Sequence, residues 1–206
     1  RARMIDFLRQ SLLIAIKDLQ SELRTKEALN ASLSFALMIL LLFSFAFDPT
    51  AEQVRRISGG LLWLVFAFAG ALILNRSFSR ELQNDCLEAL LVAPLGAGAL
   101  FLGKCLANMI LLLAVELVSL PVFSIFYNVS LTRHMPGLLG VLALATWGLT
   151  VVGTMFSALT VNLRLRELML PVLVYPVIIP ALMAAMQLTT VLIAGEPLGG
   201  QNWVWV

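Results

Sequence analysis

Cys105-Leu-Ala-Asn-Met-Ile-Leu-Leu-Leu-Ala-Val-Glu116-Leu-Val-Ser-Leu-Pro121-Val-Phe-Ser-Ile-Phe-Tyr127 is a run of twenty-three residues with one Asp, Glu, Lys or Arg among them, Glu116. A helix needs about 20 apolar residues to cross a hydrocarbon core of about 30 Å, and a soluble core helix seldom runs so far without charge. Four comparable stretches flank it, at 29–47, 57–75, 135–163 and 168–195. In lipid every backbone N–H and C=O must be paired within its own segment, so the five stretches are expected to be helices. A barrel would require strands of alternating polarity, and no such alternation is present. The 206 residues are 60% hydrophobic and 13% charged, against roughly 45–50% and about a quarter in a soluble domain. A water-soluble enzyme is thereby excluded, and the net charge of +2 is too small for a nucleic-acid partner. The predicted class is an all-α, polytopic integral membrane protein embedded in the lipid bilayer. Beyond Glu196-Pro197-Leu198-Gly199-Gly200, Trp203 and Trp205 read as an interfacial belt opening a sixth helix near 203. On that reading the last helix is largely missing from this chain.

Basic residues set the expected orientation. Arg1, Arg3, Arg9, Lys17, Arg24 and Lys26 precede the first span; Arg76, Arg80 and Lys104 follow the second, and Arg164 and Arg166 follow the fourth. The alternate loops carry Arg55, Arg56 and Arg133. This bias places the N-terminus in the cytoplasm. Residues 1–28 are too long and too acidic for a cleaved signal. Their apolar positions Ile5, Leu8, Leu12, Ile16, Leu19 and Leu23 recur at helical spacing, which predicts an amphipathic helix lying at the cytoplasmic interface. Packing on a soluble partner is the alternative. Glu22 and Lys26 are expected to pair along its polar side. The remainder, 29–206, is read as the transmembrane domain.

Gly98-Ala-Leu-Phe-Leu-Gly103-Lys104-Cys105 matches a phosphate-loop pattern only up to its lysine. A phosphate cradle must follow a strand, and a hydroxyl must hold Mg²⁺; here the segment leads into a span and ends in cysteine. ATP hydrolysis is therefore not expected of this chain. His134 is the only histidine, and Cys86 and Cys105 are the only cysteines, which makes neither a metal set nor a disulfide framework. No metal or cofactor is expected, and both thiols are expected to face the cytoplasm, reduced.

Glu116 lies twelve positions into its span. A charge there costs a few kcal/mol on insertion scales, so it should face protein or a cavity. A gating contact and an interhelical hydrogen bond to the helix of Thr146, Thr150 and Thr154 are the two functional readings; a buried carboxyl paired for packing is equally compatible. Pro121 is expected to bend the outer half of that helix, and Pro171, Pro176 and Pro180 to kink or break the fifth span at a helix contact.

Between the second and third spans, residues 76–94 read as a short amphipathic helix closed by Pro94. Phe78, Leu82, Cys86 and Leu90 share one side, while Arg80, Glu81, Asp85 and Glu88 fall elsewhere. Insertion does not require such a helix, so it is read as a docking surface for a cytoplasmic partner. Its apolar side would be buried on docking, and its charges would set orientation.

The run from Phe78 to Glu88, then Leu91-Val-Ala-Pro94 and Leu102-Gly-Lys104, resembles the haem exporter protein B family, the permeases of the bacterial cytochrome c maturation system. The resemblance continues in residues 18–27, in Gly153-Thr-Met-Phe-Ser-Ala-Leu-Thr-Val-Asn162, and in Arg164-Leu-Arg-Glu167 with Leu170-Pro171. Glu81, Asn84 and Cys86 depart from the acidic and glycine positions of the family pattern, and Asn108-Met109 replace a His-Trp found in some members. The resemblance implies a six-helix permease of the ABC type in the bacterial inner membrane. It implies a second copy of the chain, two copies of a separate cytoplasmic ATPase that holds ATP, and membrane subunits C and D that handle haem. It also implies that ATP hydrolysis is linked to release of the haem-loaded periplasmic chaperone. Two other classes compete. A secondary transporter or channel driven by an ion gradient would carry repeat symmetry and matching broken spans. An intramembrane enzyme would need a catalytic constellation within its spans.

Overall fold

Helices α1 (Ala2–Thr25), α2 (Glu27–Ala46), α3 (Glu52–Arg76), α4 (Ala97–Phe126), α5 (Met135–Thr160) and α6 (Arg166–Ala194) carry almost all the described residues. The computed structural model describes residues 2–46, 52–78, 96–129, 131, 135–161, 163 and 165–194. The expected sixth span near 203 and most of the 76–94 segment lie outside them. Five helices, α2 to α6, are long and apolar enough to cross a membrane. Their apolar parts fall close to the expected spans except at the start of α4. That helix begins at Ala97 rather than 105 and, with 30 residues, reaches about 45 Å. Its first two turns carry Gly98, Gly103 and Lys104, so the stretch resembling a phosphate loop is helix throughout.

Successive spans run antiparallel. Arg76 at the end of α3 meets Glu27 at the start of α2 (2.6 Å), and Ser157 Oγ near the end of α5 donates to the Leu74 carbonyl of α3 (2.8 Å). The core sits around α3, whose Leu62, Trp63, Val65, Phe66 and Ala69 are fully enclosed. α6 packs along α3 and α5. Trp63 Nε1 donates to Thr189 Oγ1 (2.9 Å), which satisfies two polar groups that lipid could not.

Gly59 allows this approach. A methyl group there would fall on the Met186 carbonyl and on Thr190 of α6, whereas one at Gly60 would meet open space. Gly59→Ala is therefore expected to lower stability by roughly 1–3 kcal/mol through overpacking against backbone. Gly60→Ala should be neutral or slightly stabilising, because alanine is the better helix former. Thermal melting of the two variants in one detergent checks this, and equal melting would refute the close contact.

Three local expectations are corrected. The N-terminal helix stops at Thr25, because Lys26 adopts φ 54°. Glu22 does not pair with Lys26 on a solvated side; it is buried, and its Oε1 accepts the Leu29 amide (2.9 Å). It thereby satisfies one of the open N–H groups at the start of α2. The proline-rich span is an unbroken helix from Arg166 to Ala194, and Pro176 and Pro180 lie on its exposed side, away from helix contacts. Each proline removes only the bond to the carbonyl four residues before it, and the helix continues through all three.

Candidate functional site

The charge-rich end of the bundle gathers α1, the last turn of α3 and the first turns of α4 around Lys104. This lysine is 2% exposed, and its Nζ lies 3.0 Å from Asp18 Oδ2 of α1. The same ammonium donates to the Ser77 carbonyl (2.7 Å) and sits 5.0 Å above the Phe78 ring. A buried ammonium is tolerated only when paired and hydrogen-bonded; Lys104 has a carboxylate, a carbonyl and a ring face. One turn further along α4, Asn108 Nδ2 donates to Ser77 Oγ (3.0 Å) and to Thr154 Oγ1 of α5 (2.9 Å). The Cys105 thiol is buried on the same stretch of α4. Ser77 and Phe78, the entry to the 79–95 segment, are thus held by α4 and, through Lys104 and Asn108, linked to α1 and α5.

The sequence explains why α1 can lie here. Its bundle-facing side is made of Ser11, Ile14, Ala15, Asp18 and Glu22, all buried or nearly so, and a Cβ at Gly103 would stand 2.7 Å from the Ser11 carbonyl. Only glycine admits the α1 backbone at that depth. Helical periodicity sets Asp18 and Glu22 on a solvated face; both instead make the contact with the bundle. The apolar positions Ile5, Leu8, Leu12, Ile16 and Leu23 are exposed.

Of the residues expected to face a partner, Phe78 is described and the others are not. It is buried within this chain beneath Lys104, so it is removed from the partner-facing set. Arg80, Glu81, Leu82, Asp85, Cys86, Glu88 and Leu90 lie outside the described residues, as does His134. Lys104, Asn108 and Asp18 are site residues that the sequence alone does not single out. Their signal is Lys104 and Asn108 at i,i+4 on a helix entering a span, a spacing that places both on one face.

A second polar position lies mid-span. Glu116 is fully buried, and its Oε1 accepts the Thr146 hydroxyl of α5 (2.6 Å). Glu116 Oε2 and Ser119 Oγ, one turn apart, have no hydrogen-bond partner among the described residues. From Thr146 a buried row of Thr150, Thr154, Ser157 and Thr160 runs along α5 toward the Lys104 end. Pro121, expected to bend α4, lies within the helix on its exposed side. Among the described residues no group of three His, Cys, Asp or Glu is placed to hold a metal.

Five apolar spans with buried polar contacts between them define a multi-pass helical membrane protein. Residues 9–204 match the CcmB protein family, and the chain belongs to it. Heme exporter protein B of Rhodobacter capsulatus is 31% identical over 172 residues, covering 84% of this chain and 78% of the relative. That of Pseudomonas aeruginosa is 31% identical over 184 residues, covering 89% and 81%. That of Paracoccus denitrificans is 30% identical over 174 residues, covering 82% and 77%.

Proposed function

We propose that the chain is the non-catalytic permease of an ABC-type haem export complex serving cytochrome c maturation in the bacterial inner membrane. Its relatives' name, heme exporter protein B, supports the haem connection. The observation that carries the mechanical reading is the Lys104 anchorage of Ser77 and Phe78. A helix at Arg80–Leu90 that docks on a cytoplasmic ATPase needs a rigid route into the bundle. Its entry is tied to α4 directly, and to α1 and α5 through Asp18 and Thr154. Rigid-body motion of two ATPase copies beneath two copies of this chain would thus reach α3 and α4 where Ser77 and Phe78 are held. ATP and haem stay on partner subunits, the latter on the membrane subunits C and D, and turnover is linked to release of the haem-loaded chaperone. The N-terminus lies in the cytoplasm.

Leu82→Asp combined with Glu88→Lys is expected to abolish ATPase co-purification, or to cut permease-stimulated turnover at least tenfold, while the chain still inserts. Placing a charge at one anchor and reversing a rim charge attacks both affinity and register. Wild-type co-purification and turnover in the double variant would remove the docking role. An ion-gradient transporter is the competing reading, favoured by the buried, half-satisfied Glu116. It predicts function that collapses with an uncoupler at constant ATP, whereas the permease reading predicts collapse when the ATPase is disabled.

A further inference from the structure

We propose that α1 is a binding surface for anionic phospholipid, selective for headgroup charge as well as for the apolar interface. The helix divides its perimeter three ways. One side is spent on α4, through Ser11, Ile14, Ala15 and Asp18. A second carries exposed Ile5, Leu8, Leu12, Ile16 and Leu23, an apolar stripe of the kind that lies flat in a headgroup layer. Away from the bundle, Arg9, Lys17, Arg24 and Lys26 are exposed.

What makes the surface cationic is where the acids of this region went. Asp18 closes on Lys104 at 3.0 Å and also touches Lys17. Glu22 is buried and caps the Leu29 amide. Glu27, just past the break at Lys26, holds Arg76 at 2.6 Å. Of the three acids within α1, Asp6 is the one left on the exposed side away from these contacts. The composition of 1–28 alone, six basic against four acidic residues, gives only a mild bias; the fold sharpens it by drawing Asp18 and Glu22 inward and pairing Glu27 with Arg76 at the surface. A basic residue at an anionic surface raises partitioning about fivefold, and the gain fades as salt screens it. The anionic leaflet is therefore the occupant that matches both the apolar and the basic sides, where a soluble protein would have to match them separately. This holds whatever the complex transports.

The test uses the full chain in nanodiscs of phosphatidylcholine alone or with phosphatidylglycerol, reading amide hydrogen exchange of α1. Phosphatidylglycerol is expected to slow exchange across α1 at least fivefold relative to phosphatidylcholine, and salt raised to about 0.5 M should erase the difference. Arg9→Gln, Lys17→Gln, Arg24→Gln and Lys26→Gln together should remove the preference, while Asp6→Asn should strengthen it. Arg9, Arg24, Lys26 and Asp6 stand on the exposed side, Lys17 is half exposed beside Asp18, and an unchanged melting temperature in detergent confirms that each variant is folded. If the quadruple variant melts early, the Asp6→Asn result and the salt dependence decide. Equal protection in the two lipid compositions, or a preference that survives both high salt and the quadruple substitution, overturns the proposal.

Discussion

Asp18→Ala is expected to unfasten α1 from the bundle and to uncouple the ATPase from this chain. The substitution leaves Lys104 almost fully buried and strips it of the Asp18 carboxylate, while the Ser77 carbonyl and the Phe78 ring stay in place. Removing one partner of a buried ion pair costs about 3–5 kcal/mol; Asp18 keeps 16% exposure, which puts the loss near the lower end. Local hydrogen exchange of α1 should rise, and partner-stimulated ATP turnover should fall with it. Asp18→Leu with Lys104→Met separates stability from coupling. An apolar pair of similar volume commonly restores stability, so melting should recover toward wild type. Lys104→Met takes the ammonium donor from the Ser77 carbonyl, so turnover should stay low. Full turnover in the double variant would mean that α1 is merely packed there and that the Lys104 anchorage transmits nothing.

The fold was legible because lipid imposes a simple rule: long uncharged runs become helices. The runs at 29–47, 57–75, 135–163 and 168–195 correspond to α2, α3, α5 and α6. The rule fails at Lys104, because a charge reads as the edge of a span. It is instead a buried residue on a helix that starts two turns earlier, since its ammonium brings partners from α1 and the end of α3. The same cause explains α1. Periodicity locates its apolar stripe correctly, but a stripe states what is apolar and not what it faces. The contact with α4 goes through the smaller, partly polar side, because Gly103 opens a slot into which only that side fits. Buried pairs between residues distant in sequence, such as Asp18 with Lys104 or Asn108 with Thr154, leave no periodic trace. They become visible only when the helices are assembled.

Glu116→Lys is expected to be the most damaging single change in the spans, and Glu116→Gln close to harmless. Both alter the same fully enclosed position, so the contrast isolates chemistry from burial. Glutamine keeps an acceptor at the place of Oε1 for the Thr146 hydroxyl, now 2.6 Å away. It also puts an amide N–H₂ where Oε2 stands without a partner, one turn from Ser119 Oγ, which lacks one too. The amide also carries no charge, so the enclosed position is spared the cost of an ionised carboxylate. Lysine offers no acceptor to Thr146 and brings an ammonium among Leu112, Val115 and Leu120, at a cost of about 3 kcal/mol or more by insertion scales. Thr146→Val falls between them: it strips the hydrogen bond that the Glu116 carboxyl receives from Thr146, worth about 1–3 kcal/mol when the partner stays buried. The measurement is the fraction of chain recovered as monodisperse protein from membranes, together with its melting in detergent. The expected order is wild type and Glu116→Gln, then Thr146→Val, then Glu116→Lys. Equal recovery of the lysine and glutamine variants would show that this position reaches water, and with it the role of Glu116 as an interhelical contact would fall.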